Sequence, residues 1–279
     1  MRIATIAAAA GMCLMPFATL AQTAAAAPEI QPAPTAAASS VKAPAAPKDG
    51  PAKQILFVGN SYFYYNDSLH NHVRRMAADM GVAPLDDLEY RSITISGGSL
   101  WMHPMDHYLT PGAIGYDEPF DVVILQDHSE AAMSEKREAS FRKMVAEDAA
   151  KIAATGAVPM IYMTPAYEEG HEKYDATMVE RNRALAVAVG KETNAKVIPV
   201  GLAFAEARAQ RPDIDLWQSY DHSHPTLLGT YLAAAVTVGT LYGKPTAGNA
   251  YDYYGKVSKE DAAFLQQVAD KTVADFAAD

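Results

Sequence analysis

Only one cysteine, Cys13, occurs in the 279 residues. Its isolation excludes a disulfide framework, a cysteine-ligated zinc and a catalytic thiol from the rest of the chain. Basic charge is also short. Against 33 Asp and Glu stand 23 Lys and Arg, giving a formal charge of −10 at neutral pH and a pI near 5.2. A sequence-independent grip on nucleic acid needs a basic stripe, and docking on an anionic lipid surface needs a basic patch, so neither partner is expected. Past the N-terminal segment there is no apolar run long enough to span a bilayer. No internal repeat is present. A His-Glu-x-x-His pattern and comparable paired carboxylates are missing too, so no catalytic metal is expected.

What is present is a chain that is 49% hydrophobic with a mean hydropathy of −0.09, enough apolar material for a sizeable core. Residues 1–21 read as an export signal. Arg2 supplies the positive start, Ile3 to Leu20 is apolar or small, and Thr19-Leu20-Ala21 offers a small-residue cleavage site. Gly11 and Pro16 interrupt the run, which makes a permanent membrane span the weaker reading. The expected location is therefore periplasmic or secreted, with no stable span after cleavage. Residues 22–52 are rich in Ala and Pro and read as a disordered linker. Residues 53–279 fit one α/β domain.

Within that domain apolar strands alternate with amphipathic helices. Gln54 to Val58, Arg91 to Ile95, Val122 to Leu125, Val158 to Met163 and, weakly, Val197 to Val200 read as strands. Helical spacing follows in Leu69, Val73, Met76 and Met80, in Phe141, Met144, Val145 and Ile152, and in Met178, Leu185 and Val189. Two more helices are expected, one opened by Pro225 and one carrying Leu265, Val268 and Phe276. Strand-then-helix order predicts a central parallel sheet of about five strands with helices on both faces. Such sheets place ligands at the carboxyl ends of their strands.

Those ends hold the chemistry. Ser61 follows the first strand in Gly59-Asn60-Ser61, a strand–turn–helix setting that lifts a hydroxyl above the sheet. A serine hydroxyl needs a base, and the base needs an orienting carboxylate. Asp221 and His224 lie three apart ahead of Pro225 and can supply both. Alone, Ser61 reads equally as a turn or cap residue, and His224 as a helix cap. Together, at the first and last strand ends, they are a more specific signal.

Gly59-Asn60-Ser61 after an apolar strand, with Asp221-x-x-His224-Pro225 near the carboxyl end, resembles the SGNH (GDSL-type) hydrolases across the whole folded domain. Asn60 stands where that family usually has aspartate. Its second block, a glycine, is matched by Gly97-Gly98. Its third block, Gly-x-Asn-Asp, is replaced by Gln126-Asp127-His128-Ser129. The resemblance implies a flavodoxin-like three-layer α/β/α sandwich and ester hydrolysis without metal or cofactor. It also implies an oxyanion hole built from the amides of Ser61 and Gly98, with Gly97 as the alternative glycine. Either Gln126 or His128 would add a side-chain donor.

Tyr62-Phe63-Tyr64-Tyr65 follows the serine and reads either as a substrate wall or as a cover over the first helix. Trp101 and His103 sit in the loop after Gly98 and could line the cleft. His103 and His107 would share a face if that loop were helical. His70, His72 and His107 read as exposed or partly buried helix surface, His171 as solvent-facing, and Asn66-Asp67 as the cap of the next helix. The expected function is an exported serine esterase acting on a small acyl ester of a small molecule or carbohydrate, such as an acetylated sugar or a short-chain lipid ester. A carbohydrate-binding module or an acyltransferase on the same fold is the alternative.

Overall fold

The computed structural model describes residues 50–278. The expected signal and nearly all of the linker, residues 1–49, lie outside the described residues. In chain order the elements are β1 Gln54–Gly59, α1 Ser61–Tyr64, α2 Leu69–Asp79, β2 Glu89–Thr94, α3 Met105–Tyr108, β3 Val122–Leu125 and α4 Glu135–Ala154. They continue with β4 Val158–Tyr162, α5 Met178–Thr193, β5 Lys196–Ile198, α6 Val200–Gln210, α7 Leu227–Tyr242 and α8 Lys259–Ala278.

The five strands form one sheet in the order β2-β1-β3-β4-β5, and every pairing is parallel. Strand side chains alternate between faces, and both faces here are covered. Ile55 and Phe57 of β1, with Val122 and Ile124 of β3, pack under α2, α6, α7 and α8. Leu56 and Val58, with Val123 and Leu125, pack under α3, α4 and α5. This explains why β1 and β3 read as unbroken apolar runs rather than alternating ones. Helix α7 contacts α2, α6, α8 and β5. It is buried almost all round, which accounts for its lack of a polar face.

The element boundaries differ from expectation in three places. β2 starts two residues earlier, at Glu89. β4 ends at Tyr162, although the Met163 N–H still donates to Ile198 O at 3.0 Å. β5 stops at Ile198 because Pro199 has no N–H for the ladder, and Val200 then begins α6. Helix α6 was not foreseen, since its apolar and alanine-rich sequence carries little helical periodicity. Asn66 and Asp67 do not cap α2. Ser68 occupies that position, and all three residues have positive φ, from 53° to 69°. Asn66 instead donates to Pro225 O at 2.9 Å and to Thr230 Oγ1 at 2.7 Å, tying this turn to the start of α7.

The order β2-β1-β3 means that the chain steps from β1 to β2 on one side and then crosses back past β1 to β3 on the other. This reversal opens a crevice at the carboxyl ends of β1 and β3. In the register Val58 pairs with Leu125 and Gly59 with Thr94, so the three strands end level with one another. The residues that follow them therefore meet in one place.

Candidate active site

Ser61, His224 and Asp221 are brought together in that crevice. The Ser61 hydroxyl lies 2.8 Å from His224 Nε2, and His224 Nδ1 lies 2.6 Å from Asp221 Oδ2. With Nδ1 facing a carboxylate, its proton stays on that nitrogen and Nε2 is left to accept from the serine. Ser61 is 7% exposed, and the His224 and Asp221 side chains about a quarter.

The turn bearing Asp221 and His224 is pinned at both ends. Trp217 and Pro225 form an antiparallel bridge, and the Gln218 N–H donates to His224 O at 2.8 Å. Inside the turn Asp221 Oδ1 accepts from the Ser223 and His224 amides, each at 3.0 Å. Partial burial works to raise the Asp221 pKa. The bonds from His224 Nδ1 and the two amides outweigh it and hold the carboxyl below its ordinary range. Beyond the turn, His222 Nδ1 donates to Glu168 Oε2 at 2.9 Å and the Glu168 N–H donates to His222 O at 2.9 Å. Glu168 also pairs with Arg208 of α6.

The aromatic run after Ser61 divides its work. Tyr65 stacks on the His224 imidazole, with ring centroids 4.3 Å apart and planes 10° apart. Tyr62 packs on the same imidazole at 5.4 Å and shares a 2.8 Å hydrogen bond with Ser223 Oγ. Burial pushes the Tyr62 phenol up, so it stays protonated. Phe63 is in the core, and Tyr64 is exposed with its hydroxyl on Ser96 Oγ. Tyr62 was expected to line the substrate; it is 5% exposed and supports the histidine instead.

Asn60 joins the strand ends. Its Nδ2 donates to Gly98 O at 2.9 Å and to Asp127 O at 3.3 Å, while its Oδ1 accepts from the Tyr62 N–H. A carboxylate could not donate to two carbonyl oxygens, which gives a physical reason for asparagine here.

Two expected oxyanion donors are engaged elsewhere. The Gly98 amide is given to Ile95 O at 2.9 Å, closing a turn in which Gly97 takes φ 63°. Gln126 is 1% exposed. Its Oε1 accepts the Asn60 amide at 2.9 Å and its Nε2 donates to Asp127 O, so the carboxamide lies beneath the β1 turn. It fits there because Gly59 has no side chain, and a Cβ would come within 2.5 Å of Gln126 Oε1. His128 remains available. Its Nδ1 accepts the Glu130 amide at 3.2 Å, which leaves the proton on Nε2. Burial, helped by Arg137, pushes its pKa down and keeps the ring neutral.

Trp101 is 61% exposed. His103 does not line the cleft. It is buried with its ring edge toward Tyr108, and it precedes α3 rather than sharing a helix face with the exposed His107. His72 is not at the surface either. Its Nε2 donates to Asn66 O at 2.6 Å, and its ring stacks on Tyr253. His171 is half-buried, stacked on Tyr167. Among the described residues no group of three or more His, Cys, Asp or Glu is placed to hold a metal ion. None of their helices is long and apolar enough to cross a membrane.

No protein-family model matches the sequence, and no curated protein matches it. Solved structures do. A DUF4886 family protein from Bacteroides uniformis ATCC 8492 superposes with a TM-score of 0.62 at 17% identity, over 79% of this chain and 94% of that one. A candidate SGNH hydrolase from Slackia heliotrinireducens gives 0.56 at 25% identity, over 68% and 98%. A candidate GDSL-like lipase from Parabacteroides merdae ATCC 43184 gives 0.53 at 16%, over 72% and 100%. With the strand order and the helices on both faces of the sheet, these likenesses show that the chain has the SGNH-hydrolase fold.

Proposed function

We propose that the protein is an exported serine esterase that hydrolyses small acyl esters. The observation that carries this is the unbroken line from Ser61 Oγ through the His224 imidazole to Asp221, at 2.8 and 2.6 Å. The hydrolase names carried by the structural neighbours support it. Export rests on the signal-like residues 1–21 alone.

Ser61 Oγ attacks the acyl carbon as its proton passes to His224 Nε2. Asp221 keeps Nδ1 protonated and stabilises the imidazolium. The alcohol leaves with that proton, and the acyl group stays on Ser61. Water then attacks the acyl carbon, giving a proton to His224. The bond to Ser61 Oγ breaks, the proton returns to that oxygen, and the carboxylic acid departs. Negative charge grows on the carbonyl oxygen in both halves. The Ser61 N–H is assigned to it as first donor, and the Gly97 N–H, unused among the described hydrogen bonds, replaces that of Gly98. The His128 Nε2–H is the side-chain donor. Losing one such donor raises the barrier by about 3 kcal/mol.

Hydrolysis of p-nitrophenyl acetate by wild type and Ser61→Ala tests the reading. Wild type is expected to exceed the uncatalysed rate, and Ser61→Ala to lose at least about a thousandfold in kcat with its thermal unfolding unchanged. Equal rates from both proteins would refute it.

A further inference from the structure

A cavity of about 310 Å³ with mixed polar and apolar lining opens at the loops after β2 and β3. Its lining includes Ser99 and Trp101 from the loop after β2, Asp127 and His128 from the loop after β3, and Lys136 and Arg137 at the start of α4. It adjoins the site because Asn60, the residue before Ser61, bonds to the carbonyls of Gly98 and Asp127, which lead into both of those loops.

Its lining combines two features. The first is Trp101, whose indole is 61% exposed. A flat indole left open beside a cleft suits the apolar face of a pyranose ring. The second is cationic charge in a chain of formal charge −10. Lys136 is exposed and has no ion pair among the described residues. Arg137 reaches Glu130 only at 3.4 Å, while Lys173 holds that carboxylate more closely at 2.8 Å. The one carboxylate in the lining, Asp127, is 6% exposed, and its Oδ1 accepts the Leu100 amide at 2.8 Å. The cavity therefore presents more positive than negative charge to a ligand.

We propose that this groove binds the alcohol side of the ester, and that the alcohol is a saccharide bearing carboxylate groups, of the uronic-acid class. Trp101 takes the ring face, and Lys136 and Arg137 take the carboxylates. A neutral sugar would leave the cations unused, and a glycerophosphate headgroup would leave the indole unused. That this ligand is the alcohol half of a substrate rests on the esterase reading; that the groove binds it does not.

Two experiments keep the claims apart. In the first, unacetylated oligogalacturonate is titrated into Ser61→Ala and tryptophan fluorescence is read. The chain has two tryptophans and the other, Trp217, is buried, so quenching reports on the groove. Saturable quenching is expected, weakened about tenfold or more in affinity by the double variant Lys136→Gln/Arg137→Gln, and reduced by salt at about 0.5 M. No quenching, quenching unchanged in the double variant, or equal quenching by neutral xylo-oligosaccharide would overturn the proposal. So would stronger quenching by glycerophosphate, which would make the groove a headgroup site. In the second, acetate release by wild type is compared on acetylated polygalacturonate and acetylated xylan. A kcat/KM at least about tenfold higher on the acidic polymer is expected, lost in the double variant through KM rather than kcat. Equal values would overturn the substrate assignment. If quenching occurs but wild type is no faster than Ser61→Ala on either polymer, the esterase reading fails and the binding site stands.

Discussion

The imidazole of His224 is held by Asp221 at Nδ1, by Ser61 at Nε2, and by Tyr65 stacked against its face, with Tyr62 packed on it as well. The third contact suggests a role that neither cover nor substrate wall describes. A stacked aromatic pair contributes about 0.5–1.5 kcal/mol beyond burial. Tyr65→Phe should therefore keep near-wild-type kcat/KM, because the face remains. Tyr65→Leu should lose up to about tenfold in kcat/KM. An unchanged kcat/KM in Tyr65→Leu would leave the ring without a part in holding the imidazole. Asp221→Asn should cost about ten-thousandfold in kcat, since an amide no longer enforces the tautomer; stopped-flow or single-turnover kinetics can read the remainder.

The turn after β1 is where close packing is most exacting. Gly59 admits the Gln126 carboxamide, and Asn60 ties that turn to the loops after β2 and β3. Gly59→Ala should destabilise the fold by about 1–3 kcal/mol in urea unfolding and lower activity, because the new methyl displaces Gln126. Asn60→Asp should cost a similar amount at pH 7, since a carboxylate would face two carbonyl oxygens with no proton to offer. Much of this region is legible in the sequence. Ser61 stands at the end of β1, marked by an apolar run, and the Asp221-x-x-His224-Pro225 spacing marks its partners; the structure places that turn between α6 and α7 rather than at the last strand end that the sequence suggests. The partners that depend on long-range packing are not legible. Tyr65 meets His224 only because the turn pinned by Trp217 and Pro225 folds back over α1, and no local spacing records that contact. Gln126 and His128 are two apart and read as equivalents, yet one accepts an amide from the neighbouring strand end and the other faces the groove. Helix α6 lacks a polar stripe and begins directly after Pro199, so periodicity does not separate it from β5.

For the molecule as a whole, two carboxyls pull acid stability in opposite directions. Asp148 of α4 is 1% exposed, and its Oδ2 has no hydrogen-bond partner. Burial raises its pKa from 3.8 to about 6. A folded-state pKa above the unfolded one means that the neutral form favours folding, so this contribution is full below about pH 4 and is lost as pH rises through about 6. Asp221 acts oppositely: its depressed pKa adds stability above the ordinary carboxyl value, which is lost as pH falls below that value toward the folded one. Thermal unfolding of Asp148→Asn should accordingly lack a loss, on the order of 2 kcal/mol, that wild type shows between about pH 4 and pH 7. Identical pH dependence in the two proteins would mean that Asp148 is solvated in solution. The most direct trial of the central claim is covalent labelling of the folded protein with a fluorophosphonate, located by mass spectrometry. The account predicts a single adduct on Ser61 that forms far more slowly in His224→Ala; an adduct on another residue, or none at all on folded wild-type protein, would contradict it.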